Sequence, residues 1–209
     1  MMDETLLAAA RAAPGFMPDD EGLALHRAAL QAPPAHPWVE IGTYCGKSTI
    51  YLAAAARTRE AALFTVDHHR GSEENQPGQA YCDPRFVGPD GRVDTLPEFR
   101  RIMAATGLEE VVVAVVGRSE TVAASWATPL ALLFIDGGHS RAAVDADYDG
   151  WAPRLVGGGL LLIHDVFADP ACGGRPPYEV YCRALRDGAF VEVSATGSLR
   201  ALRRVDGLQ

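Results

Sequence analysis

The chain has 209 residues, a length that suits one domain with a small appendage, and 48% hydrophobic against 22% charged residues lets it bury a full core rather than remain disordered. Nineteen Lys and Arg against 27 Asp and Glu leave a net charge of −8, which argues against a protein built to grip nucleic acid phosphates or an anionic membrane surface. No apolar run reaches the roughly 18 residues of a membrane span. The acidic opening, Asp3-Glu4, is unlike a signal peptide, and Cys45, Cys82, Cys172 and Cys182, with no CxxC pair, read as reduced thiols of a cytoplasmic protein.

In chain order, Asp3 to Ala13 and Asp20 to Gln31 read as two helices, split by Pro14-Gly15 and stopped by Pro33-Pro34. A short strand, Trp38 to Gly42, precedes an Ala-rich helix from Gly46 to Arg57, and Ala62 to Asp67 is the next strand. From His68 to about Asp94 the pattern dissolves into Gly, Pro, Asp, Asn and Arg, a stretch long enough to be a lid or a disordered insertion. A helix follows at Leu96 to Thr106, an apolar strand at Val111 to Val116, a short helix at Arg118 to Trp126 and a strand at Ala131 to Asp136. Ser140 N-caps a helix whose stripe is Val144, Tyr148, Trp151 and Leu155. Gly157-Gly158-Gly159 reads as a turn and Leu160 to Ile163 as a buried strand. A helix at Pro177 to Arg186 and a hairpin of Ala189 to Ser194 and Ser198 to Arg204, turning at Gly197, close the chain.

This alternation predicts an α/β fold: a Rossmann-like sheet of seven strands, mostly parallel, with a C-terminal antiparallel hairpin and helices on both faces. The expected organisation is an N-terminal helical cap over residues 1–37 and one Rossmann-like domain over 38–209, with an inserted loop at about 68–94. In such sheets ligands bind beyond the carboxyl ends of the strands. Polar residues gather at each of those ends: Glu40 to Tyr44, Asp67-His68-His69, Gly117-Arg118-Ser119, Asp136 to His139, and His164-Asp165.

The first glycine turn admits three readings. A phosphate-binding loop, G-x-x-x-x-G-K-[ST], fits Gly46-Lys47-Ser48 but needs glycine where Ile41 stands, so a nucleotide hydrolase is disfavoured. A dinucleotide turn, G-x-G-x-x-G, meets bulky Tyr44 where the pyrophosphate would approach. A pocket for S-adenosylmethionine carries no pyrophosphate and tolerates the turn: Glu40-x-Gly42-x-x-x-Gly46-x-Ser48 resembles the first motif of class I methyltransferases. Asp67, at the end of the second strand, is placed to take both ribose hydroxyls.

The resemblance narrows further along. Phe134-Ile135-Asp136-Gly137-Gly138-His139-Ser140 and Gly158-Gly159-Leu160-Leu161-Leu162-Ile163-His164-Asp165 resemble a bacterial family of small-molecule O-methyltransferases that carries IDG-x-H and HD at the fourth and fifth strand ends. The likeness runs from about Trp38 to Asp165. It implies that Glu40, Gly42, Thr43, Tyr44 and Ser48 lie along the methionine part of S-adenosylmethionine, with Asp67 and His68 at the ribose. Gly117, Arg118 and Ser119 would flank the adenine, and Asp136 would stand between cofactor and acceptor. Asp136, His164 and Asp165 are the implied metal or substrate ligands, although the family often has a second carboxylate where this chain has His164. A small-molecule hydroxyl would be activated either by a divalent cation, magnesium or a softer metal, or by His139 or His164 as general base. The alternative to an enzyme is a cofactor-binding scaffold without acceptor chemistry. Asp145, Asp147 and Asp149 read as the wet face of a helix, and one of His68-His69 as solvated. The N-terminal helices, with Phe16, Met17 and Leu25, either close the pocket or form a homodimer surface. Nucleic acid and membrane partners are not expected.

Overall fold

A computed structural model describes residues 2–169 and 171–205. Its elements are α1 (Glu4–Ala12), α2 (Asp19–Ala29), β1 (Trp38–Ile41), α3 (Lys47–Thr58), β2 (Leu63–Asp67), α4 (Leu96–Thr106), β3 (Val112–Val116), α5 (Ser119–Ser125), β4 (Leu130–Ile135), α6 (Arg141–Trp151), β5 (Leu155–Ile163), α7 (Arg175–Arg186), β6 (Phe190–Thr196) and β7 (Leu199–Arg204). The strands form one seven-stranded sheet in the order β3-β2-β1-β4-β5-β7-β6. The first five are parallel, and β7 runs antiparallel to both β5 and β6. This is the predicted sheet and hairpin. Among the described residues no helix is long and apolar enough to cross a membrane.

The period of two along a strand divides the core. Trp38, Leu132, Phe134, Leu160 and Leu162 enter one buried cluster with Leu6, Leu25, Tyr51 and Phe99 of α1 to α4. Val39, Leu133, Ile135, Leu161 and Ile163 enter the other with Val144, Trp151 and Val180 of α6 and α7. Each large side chain buried this way stabilises the fold by about 1.5–3 kcal/mol. The two N-terminal helices share the first cluster through Leu6, Ala10, Leu25 and Ala29, packed on α3. Asp3 starts α1 by accepting from the amides of Thr5 and Leu6, a cap worth about 1 kcal/mol.

Three expectations change. The glycines at 157–159 do not end an element: β5 starts at Leu155, and the ladder to β4 slips between Leu130 and Leu132. Gly158, at φ +73°, supplies the left-handed residue that this bulge needs. The apolar β3 is not covered on both faces, because it is an edge strand whose Val113 and Val116 are exposed. Asp147 is buried on α6 rather than wet.

The sheet reverses its strand order at β1, which has β2 on one side and β4 on the other. The crevice past the carboxyl ends of β1 and β4 is where ligands bind in open α/β sheets.

Candidate active site

The turn after β1 is forced to be glycine twice. Gly42 has φ +81°, and a Cβ there would overlap the carbonyl oxygen of Asp136. Gly46 has φ +93° and opens α3 against Met103 and Phe99. The turn therefore passes directly against the end of β4.

Asp67 organises this turn. Its Oδ2 accepts from the amides of Thr43 (2.8 Å) and Tyr44 (2.9 Å), and its Oδ1 accepts from the amide of His69 (2.7 Å). A carboxylate offers roughly four acceptor positions, so about one stays free for a ligand. Glu40 is wholly buried and takes hydroxyl donors from Ser48 and from Thr49, both at 2.6 Å. Burial outweighs those two bonds, and with help from Asp136 and Asp67 it pushes the carboxyl up to about 8. Glu40 and Ser48 thus engage each other and fix the start of α3. Thr49 is not among the residues expected at the site, because only the first turn of α3 brings both hydroxyls over β1. Beside them, the buried Thr43 hydroxyl has no hydrogen-bond partner among the described residues, a polar atom at the turn that a ligand would satisfy.

The remaining residues on this side are placed as follows. Tyr44 (φ +48°) turns its ring to Phe16 (5.5 Å) and Phe86 (5.7 Å). Cys45 is buried, and burial pushes its thiol up to about 12, so it is filler. His68 is half-buried and accepts from the Arg70 amide through Nδ1, whereas His69 is buried against Thr95 and Phe99. Gly117 donates its amide to the Asp67 carbonyl, and Arg118 is exposed near Glu120. The Ser119 hydroxyl accepts from Trp151 Nε1 (2.9 Å) and faces Asp147. Burial raises the Asp147 carboxyl to about 6.

At the ends of β4 and β5 four ionisable groups converge. His164 Nδ1 lies 2.9 Å from Asp136 Oδ1 and 3.3 Å from Asp165 Oδ2. Neighbours on a strand face opposite ways, but β5 ends at Ile163, and Asp165 is left-handed (φ +55°), which swings its carboxylate back beside His164. His139 Nε2 reaches the same Asp165 oxygen at 2.9 Å. Its Nδ1 meets Glu74 Oε2 at 3.1 Å, which brings the 68–94 segment against the site. That segment contains two short 3-10 turns, Glu73–Asn75 and Pro84–Phe86, and a bridge between Val87 and Val93.

The sequence did not single out Glu21, which reaches this cluster from α2. Its Oε2 lies 2.6 Å from His164 Nε2, and it also accepts from the Ser198 amide (2.7 Å) and hydroxyl (3.0 Å). The only local signal was an acid that packs inside an amphipathic helix.

The electrostatics follow from these contacts. Burial alone would lower His164, but Asp136, Asp165 and Glu21 push it up to about 12. The bond to Asp165 raises His139 to about 9 against burial. Burial would raise Asp165, yet the two imidazoles hold it well below the ordinary carboxylate range. Asp136 is raised by burial despite His164.

The donor set fits a divalent cation. Asp136, His164 and Asp165 each offer one potential ligand atom, and these atoms lie within 4.8 Å of one another. The imidazole nitrogen facing away is bonded to a carboxylate, as metal-binding histidines usually are.

A seven-stranded sheet with this hairpin, a glycine turn under β1 and acids at the ends of β1, β2, β4 and β5 defines the Rossmann-like methyltransferase class. Residues 39–166 match the Methyltransf_24 family, described as a methyltransferase domain, and the chain belongs to that family. Solved structures repeat the fold at low identity. The Podospora anserina methyltransferase bound to SAH has a TM-score of 0.70 at 15% identity, covering 98% of this chain and 89% of that one. The O-methyltransferase TomG from Streptomyces achromogenes, in complex with SAM, gives 0.66 at 18%, covering 99% and 92%. The O-methyltransferase NovP gives 0.67 at 18%, covering 90% and 80%.

Proposed function

We propose that the protein transfers a methyl group from S-adenosylmethionine to a hydroxyl of a small molecule. The observation that carries this reading is the juxtaposition at β1 and β4: the glycine turn held by Asp67 abuts the carbonyl of Asp136, whose side chain opens the Asp136, His139, His164 and Asp165 cluster. Neighbours of the same fold are O-methyltransferases, and some were captured with SAM or SAH. A bare cofactor-binding scaffold would have no use for four ionisable groups at the acceptor end.

S-adenosylmethionine supplies a methyl carbon activated by sulfonium. The acceptor oxygen forms a bond to that carbon, the carbon–sulfur bond breaks, and sulfur keeps the electron pair. The hydroxyl proton must leave. Both imidazoles have both ring nitrogens against carboxylates, but His164 is 5% exposed and His139 is 29% exposed, so only the His139 ring is open to an acceptor and to solvent. His139 is thus the proton acceptor, oriented by Asp165 and Glu74. Holding oxygen and methyl in line supplies much of the rate. Asp136, His164 and Asp165 would hold a divalent cation, which lowers the pKa of a coordinated hydroxyl, and the imidazole in the set favours zinc, iron or nickel over magnesium.

Calorimetry with S-adenosylhomocysteine tests the cofactor half of the proposal: the intact chain should bind and Asp67→Ala should not. No binding by the intact chain rejects it. Labelled S-adenosylmethionine with a panel of hydroxylated small molecules should reveal an acceptor. Its turnover after chelation, and after metal add-back, reports the metal's part.

A further inference from the structure

We infer that Glu21, in the N-terminal helix pair, is the positioning residue of the methyl-transfer site: it fixes the ring and tautomer of His164 and so aims Nδ1 between Asp136 and Asp165. This rests on the proposed methyltransferase reading. Three contacts carry it. The Glu21 side chain is only 7% exposed, yet it lies on α2, outside the sheet, and its carboxylate crosses to the mouth of β5. Oε1 accepts from the Ser198 amide, and Oε2 accepts from the Ser198 hydroxyl and faces His164 Nε2 at 2.6 Å. Two Ser198 donors favour the ionised carboxylate.

The tautomer follows from repulsion. At 2.6 Å two lone pairs cannot face each other, so Nε2 must carry a proton that it donates to Glu21. Nδ1 is then the atom left facing Asp136 and Asp165. Without a cation it carries a proton as well and donates it to Asp136; a cation between the carboxylates would replace that proton and leave the Nε2–H tautomer. Without Glu21 the ring could flip or exchange tautomers, and Nδ1 would lose its aim.

The geometry near Gly197 supports a built contact. A Cβ on Gly197 would overlap Glu21 Oε1, so the β6–β7 turn is shaped around this carboxylate. The helix pair thereby contributes a side chain to the site in addition to packing on α3.

The test uses the full chain with 15N-labelled histidine. In the wild type, His164 Nε2–H should give a far-downfield proton resonance, protected from exchange and absent in His164→Gln. In Glu21→Ala that resonance should vanish, and zinc affinity by calorimetry should fall about 10–100-fold, the usual cost of losing a carboxylate behind a metal-binding histidine. Affinity for S-adenosylhomocysteine should stay within about threefold. Leu25→Val, which loosens the same helix, should lower the melting temperature but leave resonance and affinities in place. A wild-type spectrum without the resonance overturns the inference, as does a Glu21→Ala protein that keeps it. If Glu21→Ala does not fold, Glu21→Gln with the same readouts decides: unchanged zinc affinity together with an unchanged resonance overturns it. Loss of S-adenosylhomocysteine binding in the wild type would reject the methyltransferase reading alone, because the resonance is read without that ligand.

Discussion

The acids at the two halves of the sheet's carboxyl edge are held in different ways. On the β1–β2 side, Glu40 and Asp67 are bonded to hydroxyls and backbone amides, groups that do not titrate near neutral pH. On the β4–β5 side, Asp136, Asp165, Glu21 and Glu74 all face imidazoles. The first arrangement shapes a turn and keeps it shaped. The second gathers groups that exchange protons, at the end of the sheet where the proposed acceptor hydroxyl would lose one. Under the proposed function, binding and chemistry divide between two neighbouring strand pairs, and each side should be open to damage without the other.

The largest effect should come from the imidazole side. Asp165→Asn removes the carboxylate shared by His139 and His164, and turnover with an acceptor found by screening should fall about 10²–10⁴-fold. S-adenosylhomocysteine affinity should change less than about threefold. Equal losses in both would erase the division. Asp67→Ala is the mirror experiment. It should abolish measurable S-adenosylhomocysteine binding and also destabilise the fold by about 1–3 kcal/mol, because the Thr43, Tyr44 and His69 amides lose their acceptor. Denaturant unfolding with calorimetry reads both effects, and unchanged stability would mean that the amides have other partners.

The next effect is on pH. Asp147 has a folded-state value of about 6 against an ordinary 3.8, so its favourable neutral form contributes fully below 3.8 and that contribution is lost as pH rises through about 6. Asp147→Asn should match the wild type in stability near pH 4 and exceed it by up to about 3 kcal/mol near pH 8. A constant difference across that range would assign the effect to packing. The smallest change is expected from Glu74→Gln. His139 keeps Asp165 but loses a second acid, so its value should move down from about 9. The rising limb of kcat/KM with pH should shift to lower pH while the plateau changes less than about threefold. An unmoved limb would remove His139 from the proton path.

Much of this was legible in the chain itself. Apolar runs ending in acids, glycines at 42 and 46, and the IDGGH and HD segments place the sheet and its ligand-binding edge, because strand period and turn chemistry are local properties. The bulge at Gly158 and the exposed edge at β3 were not: the glycines read as a turn and the apolar β3 as a covered strand, because only the strands lying alongside decide either.

Partnership was not legible. Asp147 has the same letter as its exposed neighbour Asp149, and only the packing of α6 on α5 buries it. His164 and Asp165 should face apart as strand neighbours, yet one left-handed residue brings them together. Glu21 and His164 are 143 positions apart and meet because α2 packs on α3 while the β6–β7 turn closes from the other side. Local sequence fixes backbone conformation and the faces that must leave water. Which charged groups become neighbours, and hence which hold protons, depends on long-range contacts that no window of residues contains.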